Sequence, residues 1–239
     1  MLSAKPPQTR KRHVLQPERP QPDDPGTAPA ARQLVILLHG VGSHPGSLLG
    51  MAEAFRNQWP GAAIALPAGL QPFDGGGYNH YQWFSISGVT EANRPERVAA
   101  ELPSFIEMVK GIQETTGVPP VDTVMAGFSQ GAIMALEAVA ARDGLAGRVM
   151  AFSGRYARLP QAAPKDSSVS FYHGDQDEVI PLKHAQEAFD HLQELGGDVT
   201  LDIAHGIGHE AHPALIAQAV ERLRGQIPAR LWRRALTGM

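Results

Sequence analysis

The sequence predicts an α/β layer sandwich, a mostly parallel sheet covered by helices on both faces. Six short apolar runs recur without polar alternation, as strands buried on both faces of a parallel sheet do. Segments of helical spacing separate them almost throughout, and strand–helix alternation of that kind builds one layered sheet with right-handed crossovers. The 239 residues, 43% of them hydrophobic, suffice for one large domain of this class. No repeat or internal linker divides them.

The first 32 residues hold seven prolines among many charges, a composition that cannot bury enough apolar surface to offset chain entropy. Residues 1–12 are read as a disordered, proline-rich basic tail and 13–32 as a loosely attached segment. Within the latter, "HVLQP" (13–17) can lay a short strand on a sheet edge and stop at Pro17. The domain itself spans 33–239. Its strands are expected at "LVILL" (34–38), "AAIAL" (62–66), "DTVMA" (122–126), "RVMAF" (148–152), "VSFYH" (169–173) and "VTLDI" (199–203), with helices over 47–59, 95–116, 130–142, 182–195 and 213–224. Residues 67–90, "PAGLQPFDGGGYNHYQWFSISGVT", lack periodicity and hold three consecutive glycines. A connection that long inside a compact domain points to a functional or a disordered loop. The terminal "PARLWRRALTGM" reads as a short basic amphipathic helix that packs Leu231 and Trp232 onto the body rather than lying on a membrane.

Composition excludes several function classes. A net charge of −3 and a pI near 6.4 leave no electrostatic footprint for nucleic acid. The absence of cysteine removes disulfides, thiolate metal sites and a cysteine nucleophile. No apolar run approaches the roughly 18 residues of a membrane span, and the N-terminus lacks a signal peptide's apolar stretch. The expectation is a cytoplasmic monomer or homodimer with no stable membrane insertion.

In a parallel sheet, ligands bind beyond the carboxyl ends of the strands, and here each junction supplies a different catalytic residue type. After "DTVMA" comes Gly127-Phe128-Ser129-Gln130-Gly131. A sharp strand-to-helix turn holds such a serine in a strained conformation, with glycines two positions away on either side for steric reasons. The turn also sets the hydroxyl at a helix N-terminus, where unpaired amides favour negative charge. A hydroxyl needs a base oriented by a carboxylate. Of ten histidines, His39 and His173 precede glycines at strand ends and are read as loop braces. His209, in a glycine-flexed loop after the last strand, is the candidate base, with His205 close behind it and His212 at the helix start. A metal cluster of these three is set aside, because Gly206 and Gly208 spoil helical ligand spacing. Asp177 is the candidate carboxylate, while Asp175 is read as hydrogen-bonding local amides to shape its turn. The oxyanion hole would use the amides of Val41, in the His39-Gly40-Val41-Gly42 turn, and of Gln130, whose side chain is assigned no role.

The motifs "LLHGVG" (37–42), "QWFSI" (82–86), "GFSQGAIMAL" (127–136), "HGDQDEVIP" (173–181) and "GIGHE" (206–210) resemble the phospholipase/carboxylesterase family of α/β-hydrolases, which contains acyl-protein thioesterases and small bacterial esterases. The resemblance runs from Leu34 to Leu223. "GVTEANRPERV" and "SGRYARLP" are similar to segments of a bacterial esterase subgroup. It implies an α/β-hydrolase fold, with Ser129 as nucleophile, His209 as base, Asp177 as its partner and Val41 and Gln130 as oxyanion donors. It also implies that Trp83 and Phe84 line the acyl or leaving-group site; anchoring the long loop to the core is the alternative for both. Ser43 and Ser85 depart from the family pattern, standing where the thioesterases usually have aspartate. The activity implied is hydrolysis of a small-molecule carboxylic ester or thioester, through an acyl-serine and without cofactor or metal. The rivals are a lysophospholipase or an acyl-CoA or acyl-protein thioesterase, and a noncatalytic hydrolase-fold binding protein.

Overall fold

The computed structural model describes residues 12–15 and 31–237. The remainder of the tail and linking segment, residues 1–11 and 16–30, lies outside the described residues. In chain order the strands are β1 (Arg12–Leu15), β2 (Leu34–Leu38), β3 (Ala63–Pro67), β4 (Gln71–Pro72), β5 (Tyr81–Gln82), β6 (Thr123–Phe128), β7 (Arg148–Phe152), β8 (Ser168–Gly174) and β9 (Val199–Ala204). The helices are α1 (Leu49–Gln58), α2 (Arg94–Thr116), α3 (Gln130–Ala141), α4 (Lys183–Glu194), α5 (Pro213–Gly225) and α6 (Ala229–Thr237). The boundaries follow the sequence pattern closely. The main difference lies before α1, where Pro45 opens a separate 3-10 turn, Pro45–Leu48.

The main sheet runs β1-β3-β2-β6-β7-β8-β9. All pairs from β3 to β9 are parallel, and β1 lies antiparallel on β3 with Val14 opposite Ala65. Alternate residues of each strand enter opposite cores. Ile36, Met125, Val149 and Phe171 face α2, α3 and α4, whereas Leu37, Ala126, Met150 and Tyr172 face α1 and α5. Such two-sided burial explains the unbroken apolar runs. The exception is β9, which has one neighbour and is only partly buried, with Ile203 40% exposed.

The register brings the functional loops to one edge. Leu38 pairs with Gly127, Phe128 with Phe152, Phe152 with Tyr172 and Gly174 with Ala204. The turns after β2, β6, β8 and β9 therefore open side by side. Above them, the long loop folds back as the hairpin β4–β5, which sequence periodicity does not reveal because each arm is two residues long. At the opposite edge, α6 is fastened by Arg230, whose Nη1 and Nη2 donate to Gly147 O and Val121 O at 2.7 and 3.2 Å. This corrects the expectation that Leu231 packs the helix down, since Leu231 is 43% exposed. The Trp232 side chain lies outside the described residues.

Candidate active site

Ser129 stands between β6 and α3 with φ 53° and ψ −116°, a conformation that costs a non-glycine residue about 1–3 kcal/mol. The surroundings over-determine it. Ser129 N–H donates to Phe152 O on β7 at 2.9 Å, and Ser129 O accepts from Ile133 N–H at 3.1 Å. The flanking glycines are steric requirements: a Cβ on Gly131 would lie 2.3 Å from Leu38 O, and one on Gly127 2.5 Å from the Gly131 backbone. Ser129 occupies the N-cap position of α3 but makes no side-chain cap hydrogen bond. Its hydroxyl is therefore available to another partner.

That partner is His209, on the loop after β9, whose Nε2 lies 3.0 Å from Ser129 Oγ. The other ring nitrogen, Nδ1, lies 2.8 Å from Asp177 Oδ2. A carboxylate only accepts, so the imidazole carries its proton on Nδ1 and offers Nε2 as acceptor for the Ser129 hydroxyl. Asp177 is itself fixed by its loop, Oδ1 accepting from Val179 and Ile180 N–H at 3.0 and 2.8 Å. Ser129 and Asp177 are buried, the His209 side chain is 17% exposed, and the Phe128 ring packs 5.0 Å from the imidazole. The three side chains thus form one hydrogen-bonded line, Ser129 to His209 to Asp177, of which the imidazole is the most exposed member.

The turn after β2 completes the site. Among the described residues, neither Val41 N–H nor Gln130 N–H has an acceptor, so both amides are uncommitted, and a Cβ on Gly40, next to Val41, would lie 3.5 Å from Ser129 Cβ. His39 sets this turn. Its Nδ1–H donates to Gly40 O at 2.7 Å, its Nε2 accepts from Gly69 N–H at 2.9 Å, and burial pushes its pKa down to about 4. It is a neutral brace, as its strand-end position suggests. The brace reaches the long loop, because Trp83 Nε1–H donates to His39 O at 2.7 Å.

The Gln130 side chain, to which sequence reasoning assigns no role, is a clamp. Its Oε1 accepts from Trp83 N–H and its Nε2 donates to Phe84 O, both at 2.7 Å. The residue that offers its amide beside Ser129 thereby also holds the long loop. Trp83 is wholly buried and meets Phe105 edge-on, and Phe84 is 3% exposed in the same core. That burial fits the anchoring alternative for both residues and leaves little of either surface for a ligand.

The other candidates go elsewhere. His205, 90% exposed, pairs with Asp175 at 2.9 Å, and His212 caps α5 by accepting from Ala214 N–H at 3.2 Å. Asp175 also accepts from Gly206 N–H, at 2.7 Å, in the next loop; the His205 and Gly206 hydrogen bonds hold its carboxyl below the ordinary range. At the departure from the family pattern, Ser85 Oγ donates to Asp74 Oδ2 at 2.6 Å, and Asp74 also accepts from Gln82 Nε2 and the amides of Ile86 and Ser87. A carboxylate is present beside Ser85 after all, delivered by the hairpin. Asp74 and the Gln130 side chain escaped the sequence because their partners are backbone or polar groups that only folding brings near.

A doubly covered parallel sheet, with a strained serine, a histidine and an aspartate joined at its carboxyl edge in the chain order Ser, Asp, His, defines an α/β-hydrolase. Residues 26–227 match the model of the Phospholipase/Carboxylesterase family, and the chain belongs to that family. It is 42% identical over 217 residues to Esterase YpfH of Escherichia coli (strain K12), covering 91% of this chain and 90% of that protein. Acyl-protein thioesterase 1 of Kluyveromyces lactis is 27% identical over 177 residues, 67% of this chain and 76% of that one. Among solved structures, esterase PE8 superposes with a TM-score of 0.76 at 26% identity, over 91% of this chain and 99% of its own.

Proposed function

We propose that this protein is a serine esterase that hydrolyses small-molecule carboxylic esters through an acyl-Ser129 intermediate. The observation that carries the reading is the line Ser129 Oγ, His209 Nε2, His209 Nδ1, Asp177 Oδ2, with steps of 3.0 and 2.8 Å. His209 takes the Ser129 proton as Oγ attacks the ester carbonyl, and Asp177 stabilises the imidazolium that forms. The carbonyl oxygen becomes an oxyanion facing the amides of Val41 and Gln130, each such donor being worth on the order of 10² to 10³ in rate. Collapse of the tetrahedral species passes the proton from His209 to the leaving alkoxide and leaves the acyl group on Ser129. Water, deprotonated by His209, then releases the acid and restores the hydroxyl. Family membership and the 42% identity to a named esterase support an ester as substrate.

The decisive experiment is Ser129→Ala, assayed on p-nitrophenyl acetate and butyrate. The expected loss in kcat is about 10⁴- to 10⁶-fold with the fold intact; a folded variant that keeps its activity overturns the reading. The thioesterase relatives make thioesters the second substrate class to test. A profile of p-nitrophenyl esters and acyl-CoAs across chain lengths separates the two, and a preference for long acyl-CoAs over short esters would favour the thioesterase alternative.

A further inference from the structure

His173 ends β8 four residues before Asp177, at a position with no exposed surface. Its neighbours along the strand, Phe171 and Tyr172, are core residues. An aliphatic side chain would fill such a site without polar atoms to satisfy. The imidazole instead leaves Nδ1 buried with no hydrogen-bond partner, an arrangement that costs stability unless the ring gains something elsewhere. Burial also lowers its pKa, which favours the neutral ring, and the Ile180 carbonyl oxygen facing Nε2 fixes the proton there. That Nε2–H donates to Ile180 O at 2.7 Å and lies 3.2 Å from Asp177 Oδ2.

Ile180 is the residue whose amide holds Asp177 Oδ1. His173 therefore fixes the far end of the four-residue loop that carries the carboxylate, while the positive end of its N–H rests against the oxygen that faces His209. Asp177 Oδ2 lies between two imidazoles, at 2.8 Å from His209 Nδ1 and 3.2 Å from His173 Nε2. We infer that His173 is a positioning residue for Asp177, one that acts on the reaction only through that carboxylate. The inference rests on the proposed roles of Ser129, His209 and Asp177.

The test is a double-mutant cycle on the full chain with p-nitrophenyl acetate, folding being checked by near-ultraviolet circular dichroism and the denaturation midpoint. His173→Leu is expected to lower kcat roughly 10- to 100-fold, as loss of a hydrogen-bonding partner behind a functional group does, with KM changed little. His173→Gln, whose amide nitrogen reaches the place of Nε2, restores most of the rate. His173→Asn, one methylene shorter, does not. In the Asp177→Ala background, whose residual rate is measurable, His173→Leu adds no further loss. If the leucine variant does not fold, the Gln and Asn pair carries the comparison. A folded His173→Leu protein with the parent's kcat, Gln and Asn variants of equal activity, or an equal loss with and without Asp177 would each overturn the inference. Full activity of Asp177→Ala alone would instead overturn the proposed triad.

Discussion

Replacing Gln130 by leucine separates the two things this residue does. The backbone amide beside Ser129 is untouched, and leucine fills nearly the same volume, but Trp83 N–H and Phe84 O lose their partners at 2.7 Å. Each stranded buried backbone group costs about 1–3 kcal/mol, so leaving the loop in place costs about 2–6 kcal/mol in all. The loop lowers that cost by moving until water reaches these groups, and Trp83 moves with it. Its indole N–H then leaves His39 O, and the turn that presents the Val41 amide loses a support. Misplacing one oxyanion donor costs on the order of 10² to 10³ in kcat. Gln130→Leu is therefore expected to lower kcat on p-nitrophenyl acetate about 10²-fold with KM little changed, and to lower the unfolding free energy by about 2 kcal/mol. Steady-state kinetics and urea denaturation measure both. A variant with kcat within twofold of the parent and unchanged stability would refute the coupling of the loop to the oxyanion turn.

Two further outcomes follow from the surrounding groups. Because burial lowers the His39 pKa from 6.5 to about 4, the unfolded chain binds more protons between these values, and stability falls as pH drops through that window. The loss between pH 7 and pH 5 from this residue is about 2 kcal/mol, and urea denaturation of the parent against His39→Gln should show that difference in slope; equal slopes would contradict a neutral buried His39. Asp175→Asn should leave kcat/KM within roughly threefold of the parent, since the pair with exposed His205 lies outside the Ser129 line. A loss comparable to that of Asp177→Asn would move the carboxylate role to Asp175.

The candidate catalytic residues were legible because each stands where a strand ends. Ser129, Asp177 and His209 follow β6, β8 and β9, and the apolar runs alone locate those strands to within two residues. The local cues that favour Asp177 over Asp175 and His209 over His205, a proline-bounded loop and a glycine-flexed one, select the two residues that are hydrogen-bonded in line with Ser129. What the sequence hides are partnerships across the fold. The Gln130 side chain meets residues 46 and 47 positions away, and His39 meets an amide 30 positions away. Neither contact leaves a periodicity or a motif. Trp83 illustrates the same point in reverse, because an aromatic near the site reads equally as a ligand wall or an anchor until its burial is known. The hairpin β4–β5 and the Arg230 fastening of α6 are likewise made by groups with no local signature.

Acylation of Ser129 is tested most directly by pre-steady-state mixing with p-nitrophenyl acetate. A burst of nitrophenol of one equivalent per chain is expected and, after acid quench, an acetyl group on the peptide that contains Ser129, with neither seen for Ser129→Ala. Turnover without an acyl group on Ser129, or a burst that survives its replacement by alanine, would contradict it.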